Sequence, residues 1–113
     1  MATHRVSRGR KSQEYAADYL KPLFPDAAPI AASLPGKDVL NTPGFSFEVK
    51  GRRDFKPTEW SRQAGKYGDE EFHACIMRPD GYGEAKVGQW LVFMTFEEYR
   101  DLVECYLRYS LEE

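Results

Sequence analysis

No apolar run in this chain approaches the roughly 18–20 residues that a membrane-spanning helix needs, so the sequence predicts no membrane association. Cysteine is scarce. Cys75 and Cys105 are the only two, and their spacing fits neither a disulfide framework nor a thiolate metal site. Both read as buried free thiols in a reducing compartment, which predicts a cytoplasmic protein. There are no internal repeats, no low-complexity tract and no linker long enough to divide the chain. Its 113 residues therefore read as a single domain, 1–113. The opening "MATHRVSRGRKSQ" is basic but has no apolar stretch behind it, so it does not read as a secretory signal.

What is present is enough to build a core. Hydrophobic residues make up 42% of the chain and aromatics 14%, which excludes a disordered composition. The formal charge of −2 conceals an asymmetry. Residues 1–66 carry 12 Lys/Arg against 7 Asp/Glu, whereas residues 67–113 carry 4 against 11. The basic residues gather in "HRVSRGRK" and "KGRRDFK", and this unevenness points to a polyanion on one side of the molecule.

Hydrophobic periodicity predicts the element order α-β-β-β-α-β-β-α. A first helix runs from about Ser7 or Ser12 to Leu23, with Ala16, Ala17, Leu20 and Phe24 on one stripe. "APIAASL", "DVL" and "FSFEVK" follow as strands. A second helix starts near Pro57 and carries Trp60, Gln63, Ala64 and Tyr67. "FHACIMR" and "QWLVFM" are the remaining strands. Thr95 and Glu98 form a capping box for a last helix with the apolar stripe Phe96, Tyr99, Leu102, Val103, Tyr106 and Leu107. The fold class is thus α/β, a mixed sheet of about five strands flanked by helices.

Side chains two apart on a strand share a face. In "FSFEVK", Phe45, Phe47 and Val49 form the core face, and Ser46, Glu48 and Lys50 form the other. An acid upstream at Asp38, then Glu48 and Lys50, supplies what metal-dependent phosphodiester cleavage requires. Two carboxylates are hard oxygen ligands for Mg²⁺, and a lysine orients the attacking water or offsets charge on the phosphorane. A surface ion pair on a solvated face is the bland alternative for the same residues.

These residues, in this order, resemble the PD-(D/E)xK nuclease superfamily and, within it, archaeal-type and phage Holliday junction resolvases. Gly36-Lys37-Asp38 matches the family's G-x-D, and Glu48-Val49-Lys50 matches its E-x-K. Glu14 in "GRKSQEYAADYL" matches its helical glutamate, and Gln63 in "EWSRQAGKY" its helical glutamine. The resemblance spans about residues 8 to 95 and implies a restriction-endonuclease-like core, αβββαβ. It departs from the family pattern where Pro35 precedes Gly36 instead of adjoining Asp38.

The resemblance implies a Mg²⁺ ion, with Mn²⁺ as a substitute, held by Asp38, Glu48 and the main-chain carbonyl of Val49. Glu14 would act through water or on a second ion, and Lys50 would place the nucleophilic water. Gln63 completes the implied catalytic set. Arg8, Arg10, Lys11, Arg52 and Arg53 are the candidate DNA contacts, giving affinity without base readout. The implied substrate is a four-way junction or other branched DNA in a bacterial, archaeal or phage-infected cell. A two-fold homodimer would supply the two nicks. Two alternatives stay open: a nuclease of the same class with a nicking, restriction-like or repair target, and a non-catalytic nucleic-acid-binding module.

One geometric question is set by the sequence and left open by it. Residues opposite each other in an antiparallel pair point the same way. A two-residue turn at Pro43-Gly44 sets Asp38 against Val49, away from Glu48. Bringing Asp38 to Glu48 requires a three-residue loop, a bulge or a bend.

Overall fold

The computed structural model describes residues 2–31, 37–63 and 72–112, with side chains from residue 9 onward and excluding that of Gln63. Gly36, Ala64 and Tyr67 lie outside the described residues.

The element order expected from periodicity is present. It runs α1 (Ala2–Leu20), β1 (Ala28–Pro29), β2 (Val39–Leu40), β3 (Phe45–Gly51), α2 (Pro57–Gln63), β4 (Phe72–Arg78), β5 (Leu91–Phe93) and α3 (Phe96–Glu112). Short 3-10 turns occupy Arg52–Asp54 and Glu84–Gln89. α1 stops at Leu20, two residues before Pro22, whose ring disfavours helical backbone ahead of it. Its start at Ala2 puts Glu14 in the middle of the helix, not in its first turn.

The five strands do not form one sheet. β1 and β2 pair antiparallel as a two-stranded ribbon, Ala28 with Leu40 and Pro29 with Val39. β3, β4 and β5 form a separate three-stranded sheet in that order. β3 and β4 run parallel from Phe45–Phe72 to Gly51–Arg78, and β5 pairs antiparallel with β4. The separation has a local cause. Between β2 and β3 the Asp38 N–H donates to the Phe47 carbonyl at 3.1 Å. The next inward amide, Val49 N–H, donates to the Asp38 carboxylate instead of to a strand carbonyl. A side chain thus replaces the ladder.

Two apolar clusters sandwich the sheet. Ala16 and Ala17 of α1, with Leu20 and Phe24, pack on Phe47, Val49, Ala74 and Ile76. On the opposite face Trp60 of α2 packs on Cys75, joined by Phe55, Phe93 and Met94. β4 is central and buried on both faces, as the apolar run "HACIM" requires. No described helix is long and apolar enough to cross a membrane.

α3 sits differently. Thr95 caps it as expected, its Oγ1 accepting the Glu98 N–H at 3.1 Å. The return half of the capping box is diverted. The Glu98 carboxylate reaches across to β4, accepting the His73 N–H at 2.6 Å and lying 2.9 Å from His73 Nδ1. No residue of α3 is buried, so Cys105, expected inside, is exposed, whereas Cys75 on β4 is buried.

Candidate functional site

The register of β3 on β4 puts Ser46, Glu48 and Lys50 on the same face as His73, Cys75 and Met77. This face is not simply solvent. Ser46 is 3% exposed and Cys75 fully buried, while Glu48 and Lys50 are half-buried at the open end. A groove of about 290 Å³ opens there. Its lining takes Glu48 and Lys50 from β3, and Arg53 and Asp54 from the 3-10 turn that follows. Lys56 and Glu59 come from the start of α2, with Phe55 and Trp60 as the apolar part.

The turn before β3 decides where Asp38 goes. Phe45 N–H donates to the Thr42 carbonyl at 3.0 Å across Pro43 and Gly44, and Gly44 has φ +82°. Proline second and a positive-φ glycine third is the pattern of a type II turn. Asn41, just upstream, also takes a left-handed φ of 64° and anchors its Nδ2 on the Asp26 carbonyl at 2.9 Å. Asparagine tolerates that backbone better than other side chains. The chain bends at Asn41. Asp38 is thereby set alongside Phe47 and Val49, with Oδ2 2.7 Å from the Val49 N.

The electrostatics follow from this placement. Burial pushes the Asp38 carboxyl above its ordinary pKa, opposed by the Val49 N–H bond and by the Lys50 ammonium. Burial raises Glu48 likewise. There Lys50 opposes the shift, Asp38 adds to it and His73 lowers it. Beneath them the Cys75 thiol is pushed up to about 12, chiefly by burial and then by the Glu48 charge. At that value it stays a neutral thiol and is no nucleophile. Asp38, Glu48 and Lys50 therefore act on one another as a group, with one cation shared by two carboxylates.

This donor set suits a hard divalent cation, which would offset both the desolvation and the mutual repulsion of the acids. The Val49 carbonyl belongs to the residue whose amide already holds Asp38. Among the described residues no cluster of three or more His, Cys, Asp or Glu side chains is disposed to hold a metal. The set is two carboxylates and a carbonyl.

The other expected residues divide. Glu14 lies on α1, the helix that covers the opposite face of the sheet, and pairs with Arg10 (Nε–Oε1 3.6 Å). No described hydrogen bond or ion pair joins it to Asp38 or Glu48. Gln63 ends α2, the helix that contributes Glu59 to the groove, but its side chain is outside the described set. Arg53 lines the groove, and Arg52 is exposed beside it. Arg10 and Lys11 are exposed on α1, and the side chain of Arg8 lies outside the described set.

Sequence reasoning missed Glu59, and met Lys56 only as the end of the basic run "KGRRDFK". A signal existed: Glu59 precedes Gln63 by one helical turn and so shares its face. The pairing of His73 with Glu98 had no such signal, since 25 residues separate them. No protein-family model, no curated protein and no solved structure matches this chain.

Proposed function

We propose that this protein is a metal-dependent endonuclease that hydrolyses phosphodiester bonds in DNA, with branched DNA such as a four-way junction as its substrate. The single observation that carries the reading is the Asp38–Glu48–Lys50 group, with Asp38 tied to β3 by the Val49 N–H and with Glu48 and Lys50 lining a groove that bears further cations. The element order through β4, αβββαβ, supports a restriction-endonuclease-like core on which such a group belongs.

In this reading Asp38, Glu48 and the Val49 carbonyl hold Mg²⁺, or Mn²⁺ in its place. The ion, when bound, supplies charge stabilisation at the phosphate. The chain's own residues do the rest. Lys50, whose charge acts on both carboxylates, orients the attacking water and offsets charge developing on phosphorus. Arg53 and Lys56 grip the phosphates that flank the scissile bond, giving affinity that depends on salt. Phe55 and Trp60 form the apolar part of the groove and keep bulk water from that side. Glu14 and Gln63 retain the supporting roles that the family resemblance implies, and the cell interior is the setting for both enzyme and substrate.

One observation favours a second reading, a non-catalytic nucleic-acid-binding module: among the described residues no three His, Cys, Asp or Glu side chains are grouped to hold a metal. Metal dependence separates the two. A nuclease loses junction cleavage when a chelator is added, and cuts four-way junctions in preference to matched linear duplex. A binding module keeps its full DNA affinity with or without the chelator and never cleaves.

A further inference from the structure

We infer that the groove beside Glu48 and Lys50 receives one unpaired nucleotide of the DNA strand, its base stacked against the ring of Phe55. The inference deepens the nuclease reading and rests on it for DNA as the ligand. It starts from the balance of charge. Lys50, Arg53 and Lys56 line the groove together with Glu48, Asp54 and Glu59, three charges of each sign. A track built only to follow phosphates needs an excess of cations, because each phosphate it holds is an anion to be neutralised. A balanced wall holds a phosphate only locally, and the rest of the contact must come from an uncharged part of the ligand. In DNA the largest such part is the base.

The groove offers a surface for it. Phe55 follows directly on the 3-10 turn Arg52–Asp54, and its N–H closes that turn on the Arg52 carbonyl at 3.4 Å. The turn leaves the end of β3, so Phe55 stands five residues beyond Lys50, with Arg53 and Lys56 close on either side in the chain. Its ring centroid lies 4.3 Å from that of Phe93 and 6.5 Å from that of Trp60. Trp60 is itself packed on the fully buried Cys75. Phe55 is nevertheless only half-buried, and it lines the groove. A ring held by its neighbours yet open to the groove is a stacking platform, with little side-chain freedom left to lose when a base lies on it. Cations beside such a ring are the arrangement that grips a single strand, backbone on charge and base on ring.

Size and stacking decide what enters. At about 290 Å³ the groove is at the lower end of small-molecule sites, with room for one nucleotide and none for a duplex. Within a duplex both faces of a base are covered by its neighbours, so only a base that has left the stack reaches Phe55. Extruding a paired base costs free energy that an already unpaired base does not cost. Branch points, bulges and flaps supply such a base, and matched duplex does not. The site therefore discriminates distorted from linear DNA, which phosphate contacts alone do not.

The test reads binding, not cleavage, and so separates from the nuclease reading. The full chain in chelator is titrated against a fluorescein-labelled duplex carrying one bulged nucleotide, and against the same duplex with an abasic residue at the bulge. Anisotropy follows both. The wild type is expected to bind the bulged base roughly 5- to 150-fold more tightly, the worth of one base on one aromatic ring. Phe55→Leu keeps apolar packing against Phe93 but has no flat ring, and is expected to bind the two probes alike. Phe55→Tyr is expected to restore the preference. Equal affinity of the wild type for the two probes, or a preference that survives Phe55→Leu, would overturn the stacked-base site. Failure to bind either probe removes DNA as the ligand, and the inference with it. A chain that shows the preference yet never cuts in Mg²⁺ keeps this site and loses the nuclease reading.

Discussion

The carboxylate of Asp38 takes the Val49 N–H at 2.7 Å. That bond sets the edge of β3 and brings a negative charge to the Glu48–Lys50 pair at the same time. Structure and proposed chemistry thus share one contact, and the two roles separate by mutation. Asp38→Asn keeps an oxygen for the Val49 amide but halves the anionic charge of the site. It is expected to abolish cleavage while retaining DNA binding. Asp38→Ala leaves the amide unpaired as well and is expected to lose a further ~1–3 kcal/mol of stability in denaturant unfolding. Equal stability of the two variants would deny the contact its structural role.

Glu48 makes a pH-dependent prediction. Its folded pKa is raised by burial, so the folded state holds the proton more tightly than the unfolded one. Stability therefore falls as pH rises through the window between the ordinary carboxylate pKa of 4.5 and the raised folded value. Below that window the group is neutral in both states and costs nothing. Glu48→Gln should raise Tm at pH 7 and leave it unchanged below about pH 4, measured by calorimetry. Saturating Mg²⁺ should raise the wild-type Tm at pH 7 and leave that of Glu48→Gln almost unmoved.

Lys50 is the shared cation. Lys50→Ala should reduce the cleavage rate on the order of 10²–10³-fold, the cost of one lost transition-state contact. Single-turnover kinetics at saturating DNA isolates that step, and a wild-type rate would remove the lysine from the chemistry.

Arg53 and Lys56 line the groove, where Lys56 lies 3.9 Å from the Glu59 carboxylate, and Arg10 pairs with Glu14 on α1. Replacing Arg53 and Lys56 together with Ala should flatten the slope of log K against log salt by about two units. An unchanged slope would return both to the solvated surface.

The tie between His73 and Glu98 anchors α3 to the central strand. Glu98→Ala strands the buried His73 amide and should cost ~1–3 kcal/mol by denaturant unfolding. Thr95→Ala, which removes only the cap, should cost about 1 kcal/mol.

Much of this was legible from local pattern. The alternation Phe45-Phe47-Val49 identified the core face of β3, and Pro57 and Thr95 marked two helix starts, because each signal lies within a few residues. What was not legible depended on longer range. Asn41 in a left-handed conformation decides the position of Asp38, yet "LNTPGF" permits two turn lengths. The split into two sheets follows from a single side chain replacing a strand carbonyl. Ser46 and Cys75 are buried, Cys75 beneath Trp60 of α2, which alternation along β3 alone cannot register. Glu98 looked like the closing half of a capping box, and instead bonds a strand 25 residues earlier.

Nicking of a synthetic four-way junction by the wild type and Glu48→Gln, side by side in Mg²⁺ and after chelation, tests the central claim most directly. The account predicts paired nicks from the wild type in Mg²⁺ alone. It predicts none after chelation and none from Glu48→Gln, with both proteins still shifting the junction in a gel. Cleavage that survives chelation or the loss of the Glu48 charge would contradict it, as would a wild type that binds the junction in Mg²⁺ and leaves it intact.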